Sequence, residues 1–92
     1  MVEAKLTGRV TCLVEKMPDA TGEMSARYYV KVQDDQRDAP EYVKILARGK
    51  DAYWALENVK PGMIVMIRGK VRAQLSTLVI EQEKGRIIRD DR

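Results

Sequence analysis

From residue 2 to residue 14 the even positions are apolar or glycine and the odd positions are polar except Leu13, and this alternation limits the fold more strongly than any other feature of the sequence. A period of two puts successive side chains on opposite faces of an extended strand, so that one face is buried and the other solvated. The segment exceeds the usual strand length, and Gly8 in its middle offers a place for a bend. We therefore predict one long, curved first strand over residues 2–14. Its core-facing positions are Val2, Ala4, Leu6, Gly8, Val10, Cys12 and Val14.

Three later segments repeat the alternation and are predicted to be strands two, three and four. They cover residues 27–33, 42–48 and 63–72. A fifth strand is predicted over residues 77–83, and we expect Gly85 to end it. The core-facing positions of strands two to four are Tyr28, Val30 and Val32, then Val43, Ile45 and Ala47, then Val65, Ile67, Gly69 and Val71.

Turn-forming and helix-forming residues separate these strands. Residues 18–23, with a proline and a glycine, predict a hairpin loop, and residues 34–40 predict a solvated loop. Residues 75–77 predict a short hairpin connection. Residues 50–58 contain no glycine, proline or β-branched residue, and apolar side chains recur there at helical spacing. They predict a helix of about two turns.

The predicted order is three strands, one helix and two strands, over a single domain of residues 1–92. An all-β chain with one short helix in the order β-β-β-α-β-β is what a five-stranded OB barrel needs. In that fold the helix closes one end of the barrel. Gly8 and Gly69, inside their strands, would let the sheet curl enough to close. A split sandwich of a sheet and a helix is the alternative architecture.

Composition limits the compartment and the cofactors. Histidine is absent, so a zinc site of the usual Cys/His kind cannot be assembled. Cys12 is the single cysteine and cannot form an intramolecular disulfide. No apolar run approaches the roughly 18 residues that a membrane-spanning helix needs. We therefore expect a cytosolic protein that uses no metal, cofactor or membrane.

The sequence contains none of the usual residue constellations of an enzyme. Histidine, the commonest general base, is missing. The adjacent acids at residues 34–35 and 90–91 point apart in an extended chain, so we expect them to be solvated. The Gly-Lys pairs at residues 49–50 and 69–70 lack the spacing of a phosphate-binding loop. We predict that the protein is not an enzyme.

The outward positions of predicted strands two, three and four collect cations and two tyrosines, with no acid in residues 27–33 or 42–50. Proteins that bind single strands stack bases on aromatic rings and follow the phosphates with cations. A merely solvated face would normally mix both signs of charge. The pattern favours nucleic-acid binding over the alternative, in which cations keep exposed strands soluble and tyrosines serve as good strand formers. The candidate binding residues are Arg27, Tyr29, Lys31, Tyr42, Lys44, Arg48, Arg68, Lys70 and Arg72.

Three other residues that invite a functional interpretation are expected to be structural. Tyr28 falls in the inward register of strand two and is predicted to lie in the core. Trp54, on the helix, is predicted to pack rather than to stack a base. Cys12 is expected to be a small core residue.

Three segments carry a family likeness: LTGRV at residues 6–10, EYVKI at residues 41–45, and residues 49–71, which begin with GKDA and end with RGKV. They resemble the first strand, the third strand and the helix with the fourth strand of single-stranded DNA-binding proteins of the bacterial and mitochondrial OB-fold type. The resemblance covers most of the chain. It implies largely sequence-independent binding of single-stranded DNA, with RNA as an alternative ligand, in replication, repair or recombination. It also implies a homo-oligomer, dimer or tetramer, formed by pairing of the first strand.

The sequence also departs from the family pattern. Arg48 stands where family members usually carry a second aromatic of the third strand, and the hairpin at residues 72–78 is short and has no aromatic. The linker and acidic tail of the family are not seen, which fits a short primosomal, phage or plasmid form or a truncated one. The second functional hypothesis is an OB module that docks an acidic protein partner through the same face. Sparse aromatics, 5% of residues, and a net charge of only +3 favour it.

Overall fold

The computed structural model describes residues 2–17, 21–32, 41–74 and 77–92. In chain order its elements are β1 (Glu3–Val10), β2 (Glu15–Met17), β3 (Ser25–Val32), β4 (Glu41–Arg48), α1 (Lys50–Asn58), β5 (Met63–Gln74) and β6 (Thr77–Asp90). The predicted loops at residues 18–20 and 34–40, the end of strand two at residue 33 and the hairpin tip at residues 75–76 lie outside the described residues. No helix within those described ranges has the length and apolar character needed to cross a membrane.

Five of the strands close into a barrel. β1 pairs antiparallel with β5 and, at its end, with β3, while β3 pairs with β4 and β5 with β6. The parallel pair β4 and β6 completes the ring, and the short β2 extends it beside β3. A closed five-stranded ring with a helix between β4 and β5 is an OB fold. The predicted fold class is therefore confirmed, and the split sandwich is excluded.

The predicted inward register of strands two to four forms the barrel core. Tyr28, Ile45 and Ile67 are fully buried, as is Ile80 of β6. The buried phenol of Tyr28 donates a hydrogen bond to Gln82 Oε1 at 2.5 Å, and burial raises the pKa of this tyrosine above its usual range. The prediction that Tyr28 is a core residue is confirmed. Period-two patterning fixed which face of each strand became apolar, because burial of that face is what stabilises a half-solvated sheet.

The first strand is shorter than predicted. β1 ends at Val10, and the chain pairs again only as β2, from Glu15. The cause is a change of partner: β1 follows β5 as far as Arg9, and Val10 already pairs with β3. The apolar even positions continue between β1 and β2 because both strands keep one side toward the core. Gly8 lies where β1 comes close to β3, since a Cβ at residue 8 would stand 2.7 Å from the carbonyl oxygen of Lys31.

The prediction that Gly85 ends the last strand is wrong. β6 continues to Asp90, and Gly85 pairs with Ile67 in its middle. β5 offers a hydrogen-bonding partner along this whole length, which outweighs the low strand propensity of glycine. A Cβ at residue 85 would lie 2.7 Å from the Trp54 ring. Glycine here makes room for the indole of the helix, so it marks a close approach and not a strand end.

The helix occupies the predicted residues 50–58. It begins after Gly49, whose φ is 58° and whose N–H donates to the Met24 carbonyl at 2.8 Å. Ala52 and Ala55 of the helix are fully buried, and Trp54 packs against the main core. Small residues let α1 lie close to the end of the barrel. The predicted packing role of Trp54 is confirmed.

Candidate nucleic-acid interface

β3 and β4 bring two tyrosines and four cations together on the outer surface of the barrel. Tyr29 lies directly opposite Lys44, and Lys31 lies directly opposite Tyr42. Directly opposed residues of an antiparallel pair share one face, so tyrosines and lysines alternate on that face both along each strand and across the pair. We call this surface the front face. Its residues are Arg27, Tyr29, Lys31, Tyr42, Lys44 and Arg48.

The two tyrosines are placed to act together. They are diagonal neighbours across the β3–β4 pair, and such positions lie about 7–8 Å apart. Tyr42 is 55% exposed, and Tyr29 is half-buried. The carbonyl of Tyr29 accepts hydrogen bonds from the Thr11 amide at 3.1 Å and the Thr11 hydroxyl at 3.3 Å. The break between β1 and β2 therefore fixes the backbone under Tyr29.

The cations of the front face are not equivalent. Arg27 donates two hydrogen bonds to Glu15 Oε2, at 3.1 and 2.9 Å, and this carboxylate raises the pKa of Arg27 further. Lys31, Lys44 and Arg48 have no described carboxylate within 4 Å. Among the described residues, three cations of the front face thus make no ion pair, and they lie beside its two rings. Sequence reasoning missed Glu15, because its place beside Arg27 depends on β2 pairing with β3.

The three candidate residues of β5 do not lie on the front face. In the barrel, β6 stands between β4 and β5, and β1 stands between β3 and β5. Arg72 forms an ion pair with Glu81 at 3.2 Å, and Lys70 lies opposite Glu81 in register. Arg68 pairs with Lys5 of β1 and Lys84 of β6. The predicted site residues are therefore spread over more than one side of the barrel: Arg68 and Arg72 lie away from the front face, and Lys70 meets Arg48 at its edge, because chain order does not give strand order once the parallel pair is made.

A shallow pocket of about 160 Å³ marks the edge of the front face near the helix. Arg48 and Lys70 meet there, together with carboxylates from α1 and β6. Burial raises the pKa of Asp51 in this lining. With both signs of charge present, the pocket adds no anion selectivity to the front face. Its lining residues are Leu46, Arg48, Asp51, Lys70, Glu81, Gln82 and Glu83.

No protein-family model and no curated protein matches the sequence. Solved structures do match the fold. The mitochondrial single-stranded DNA-binding protein Rim1 of S. cerevisiae superposes with a TM-score of 0.85 at 14% identity, over 98% of this chain and 96% of that one. The small single-stranded DNA-binding protein of Streptomyces coelicolor gives a TM-score of 0.84 at 16% identity, over 94% and 90%.

A third similar structure is the dimeric N-terminal domain of PriB from Thermoanaerobacter tencongensis. Its TM-score is 0.74 at 19% identity, and the match covers 95% of this chain and 96% of that one. At these identities the likeness is one of fold. Together with the strand order, it makes this chain an OB-fold protein.

Proposed function

We propose that this chain binds single-stranded DNA without catalysis, using the front face. Bases stack on Tyr29 and Tyr42, while Lys31, Lys44 and Arg48 contact the phosphates. The observation that carries the proposal is the alternation, across the β3–β4 pair, of two tyrosines with cations that make no ion pair among the described residues. Stacking suits single strands, whose bases are free to splay out, and it tolerates any base because every base has a π-face.

The fold neighbours support this proposal. Rim1 and the Streptomyces coelicolor protein are both described as single-stranded DNA-binding proteins. The same stacking chemistry would also accept RNA, which makes RNA the second ligand to assay. Work on exposed strands during replication, repair or recombination is the matching cellular role, and we propose a cytoplasmic location.

We further propose that the protein forms a homo-oligomer, dimer or tetramer, through β1. Residues 3–8 of β1 pair with β5 on one edge, and no described strand pairs with their other edge. An unpaired strand edge is a template for a second chain. The PriB domain among the fold neighbours is described as dimeric. Light scattering of the wild type beside a variant with Lys5→Pro, which removes a backbone donor in β1, tests this edge.

The experiment that tests the binding proposal is a fluorescence-anisotropy titration of labelled oligo-dT of about 8 nucleotides, short enough for one barrel. Three cations that make no ion pair among the described residues predict a slope of log K against log salt of about −2, since each phosphate contact on a single strand contributes about −0.7. Polyglutamate of similar charge serves as competitor. We expect the oligonucleotide to resist displacement by polyglutamate, because polyglutamate has no ring to stack on the tyrosines. Equal competition would favour the acidic-partner hypothesis instead.

A further inference from the structure

A row of three cations crosses the side of the barrel formed by β1, β5 and β6. Lys5 lies directly opposite Arg68, and Arg68 lies directly opposite Lys84. All three side chains are exposed, and none has a described carboxylate within 4 Å. Arg86, opposite Met66 in the next row but one along β6, adds a fourth exposed cation. We call Lys5, Arg68, Lys84 and Arg86 the back face.

Neighbouring rows of the same sheet place acids beside their cations. Lys70 has Glu3 on one side and Glu81 on the other. At the far end, Arg9 and Arg89 both bind Asp91, at 3.2 and 2.7 Å. Like charges placed directly opposite each other destabilise a sheet. The back face therefore places like charges opposite one another, although the exposed bulge residue Glu83 lies next to Lys84, and an anionic partner would relieve the remaining repulsion.

The chemistry of the back face favours a sugar-phosphate backbone. β1, β5 and β6 contain no aromatic residue, so this surface has nothing on which to stack a base. Adjacent strands are about 4.8 Å apart, and the three cations thus span about 10 Å, in reach of consecutive phosphates. Ile64 and Met66 among these rows are half-buried, and the exposed Ile88 of β6 alone is a small anchor for a lipid surface.

We propose that the back face is a second nucleic-acid contact, which binds the backbone by charge alone and accepts single strands and duplexes alike. Because it lies on other strands than the front face, one chain holds two stretches of nucleic acid. They are either two parts of one long strand or a single strand and a separate duplex. The inference rests on the proposed function only for the class of ligand.

The test compares Arg68→Gln/Lys84→Gln with Lys16→Gln/Lys60→Gln. The control removes the same charge from two lysines outside both faces, an exposed one of β2 and a half-buried one after α1. Each variant is titrated with oligo-dT of about 8 and about 60 nucleotides and with a duplex of about 20 base pairs. On the long strand we expect the back-face variant to lose about 1.4 from the salt slope, and on the duplex about 1.8. The control keeps both slopes.

Two further readouts separate this inference from the proposed function. Binding of the short oligonucleotide stays unchanged in the back-face variant, whereas Tyr42→Ala weakens it and leaves duplex binding intact. Without ligand at low salt, the back-face variant melts at a higher temperature than the wild type, because like charges have been removed. Unchanged slopes on both long strand and duplex would overturn the back face even if Tyr42 proved essential. Loss of the duplex slope with no effect of Tyr42→Ala would instead overturn the front face.

Discussion

Tyr42 is the side chain on which the proposed stacking most depends, since it is the more exposed of the two front-face tyrosines. We expect Tyr42→Ala to weaken binding of oligo-dT by about 1–3 kcal/mol, the usual contribution of one stacked base. Tyr42→Phe should bind like the wild type, because it keeps the ring. Anisotropy titration measures both, and thermal melts check that the fold is intact. Equal loss in both variants would show that the hydroxyl matters and stacking does not.

Lys44 and Arg27 carry the same charge on the same face but differ in their partners. Lys44 has no described carboxylate within 4 Å, while Arg27 is already held by Glu15. We predict that Lys44→Gln lowers the salt slope of binding by about 0.7 and that Arg27→Gln lowers it by clearly less. Titrations at several salt concentrations give both slopes. Equal reductions would contradict the neutralising role of Glu15.

The surroundings of the candidate binding residues followed only partly from the sequence. Exposed Tyr42 and Lys44 followed from alternation, because a residue between two buried ones in a strand must face outward. The partners of Arg27 and Arg72 did not follow. Glu15 and Glu81 reach those guanidinium groups only through strand pairing between distant parts of the chain. Charge segregation along a segment therefore overstated the positive charge of the folded surface.

At the scale of elements, Gly85 and Trp54 couple β6 to the helix. We predict that Gly85→Ala destabilises the protein by about 1–3 kcal/mol, because the added methyl group would collide with the indole and a packed core resists expansion. Urea denaturation measures the free energy of unfolding. In the Trp54→Leu background the smaller side chain should recover part of the loss, so a double-mutant cycle shows coupling. Strict additivity would mean that the two residues do not meet.

The first turn of α1 contains Asp51, and burial raises the pKa of its carboxyl. A raised pKa in the folded state means that the protonated form is preferred there. The contribution of Asp51 to the free energy of unfolding is therefore fully present below the pKa of the unfolded state. It is lost as the pH rises through the pKa of the folded state. We predict that Asp51→Asn raises the free energy of unfolding at pH 7 and that this gain shrinks on acidification toward pH 4. A gain independent of pH, seen in denaturation curves, would contradict the burial effect.

Two element boundaries show what periodicity cannot reveal. The even positions stay apolar through Cys12 and Val14, yet β1 stops at Val10 because its partner changes. Gly85 has low strand propensity, yet β6 passes through it because β5 pairs alongside. Patterning reports which face of a segment is apolar. Where a strand begins or ends depends on the partner beside it, and that information is not local.

At the scale of the whole molecule, the closed barrel separates the cations of the predicted strands into two surfaces, the front face and the back face. The sequence order predicted the closed fold, since three strands, a helix and two strands can pack as an OB barrel. It did not predict that β6 would divide β4 from β5 and send Arg68 to a different side from Lys44. The proposed function places stacking on the tyrosines of β3 and β4. Under that proposal, discrimination between single and double strands arises there.

The most direct test of that discrimination is displacement of labelled oligo-dT of about 30 nucleotides by unlabelled duplex or unlabelled oligo-dT, at two salt concentrations. Two stacked tyrosines would favour the single strand by at least about 2 kcal/mol, or roughly 30-fold. We therefore expect duplex to compete only at about 30-fold or greater excess over oligo-dT at both salts, while overall affinity falls as salt rises. Displacement by equal amounts of duplex and oligo-dT would contradict stacking on the front face, and absence of binding at low salt would contradict the proposed function itself.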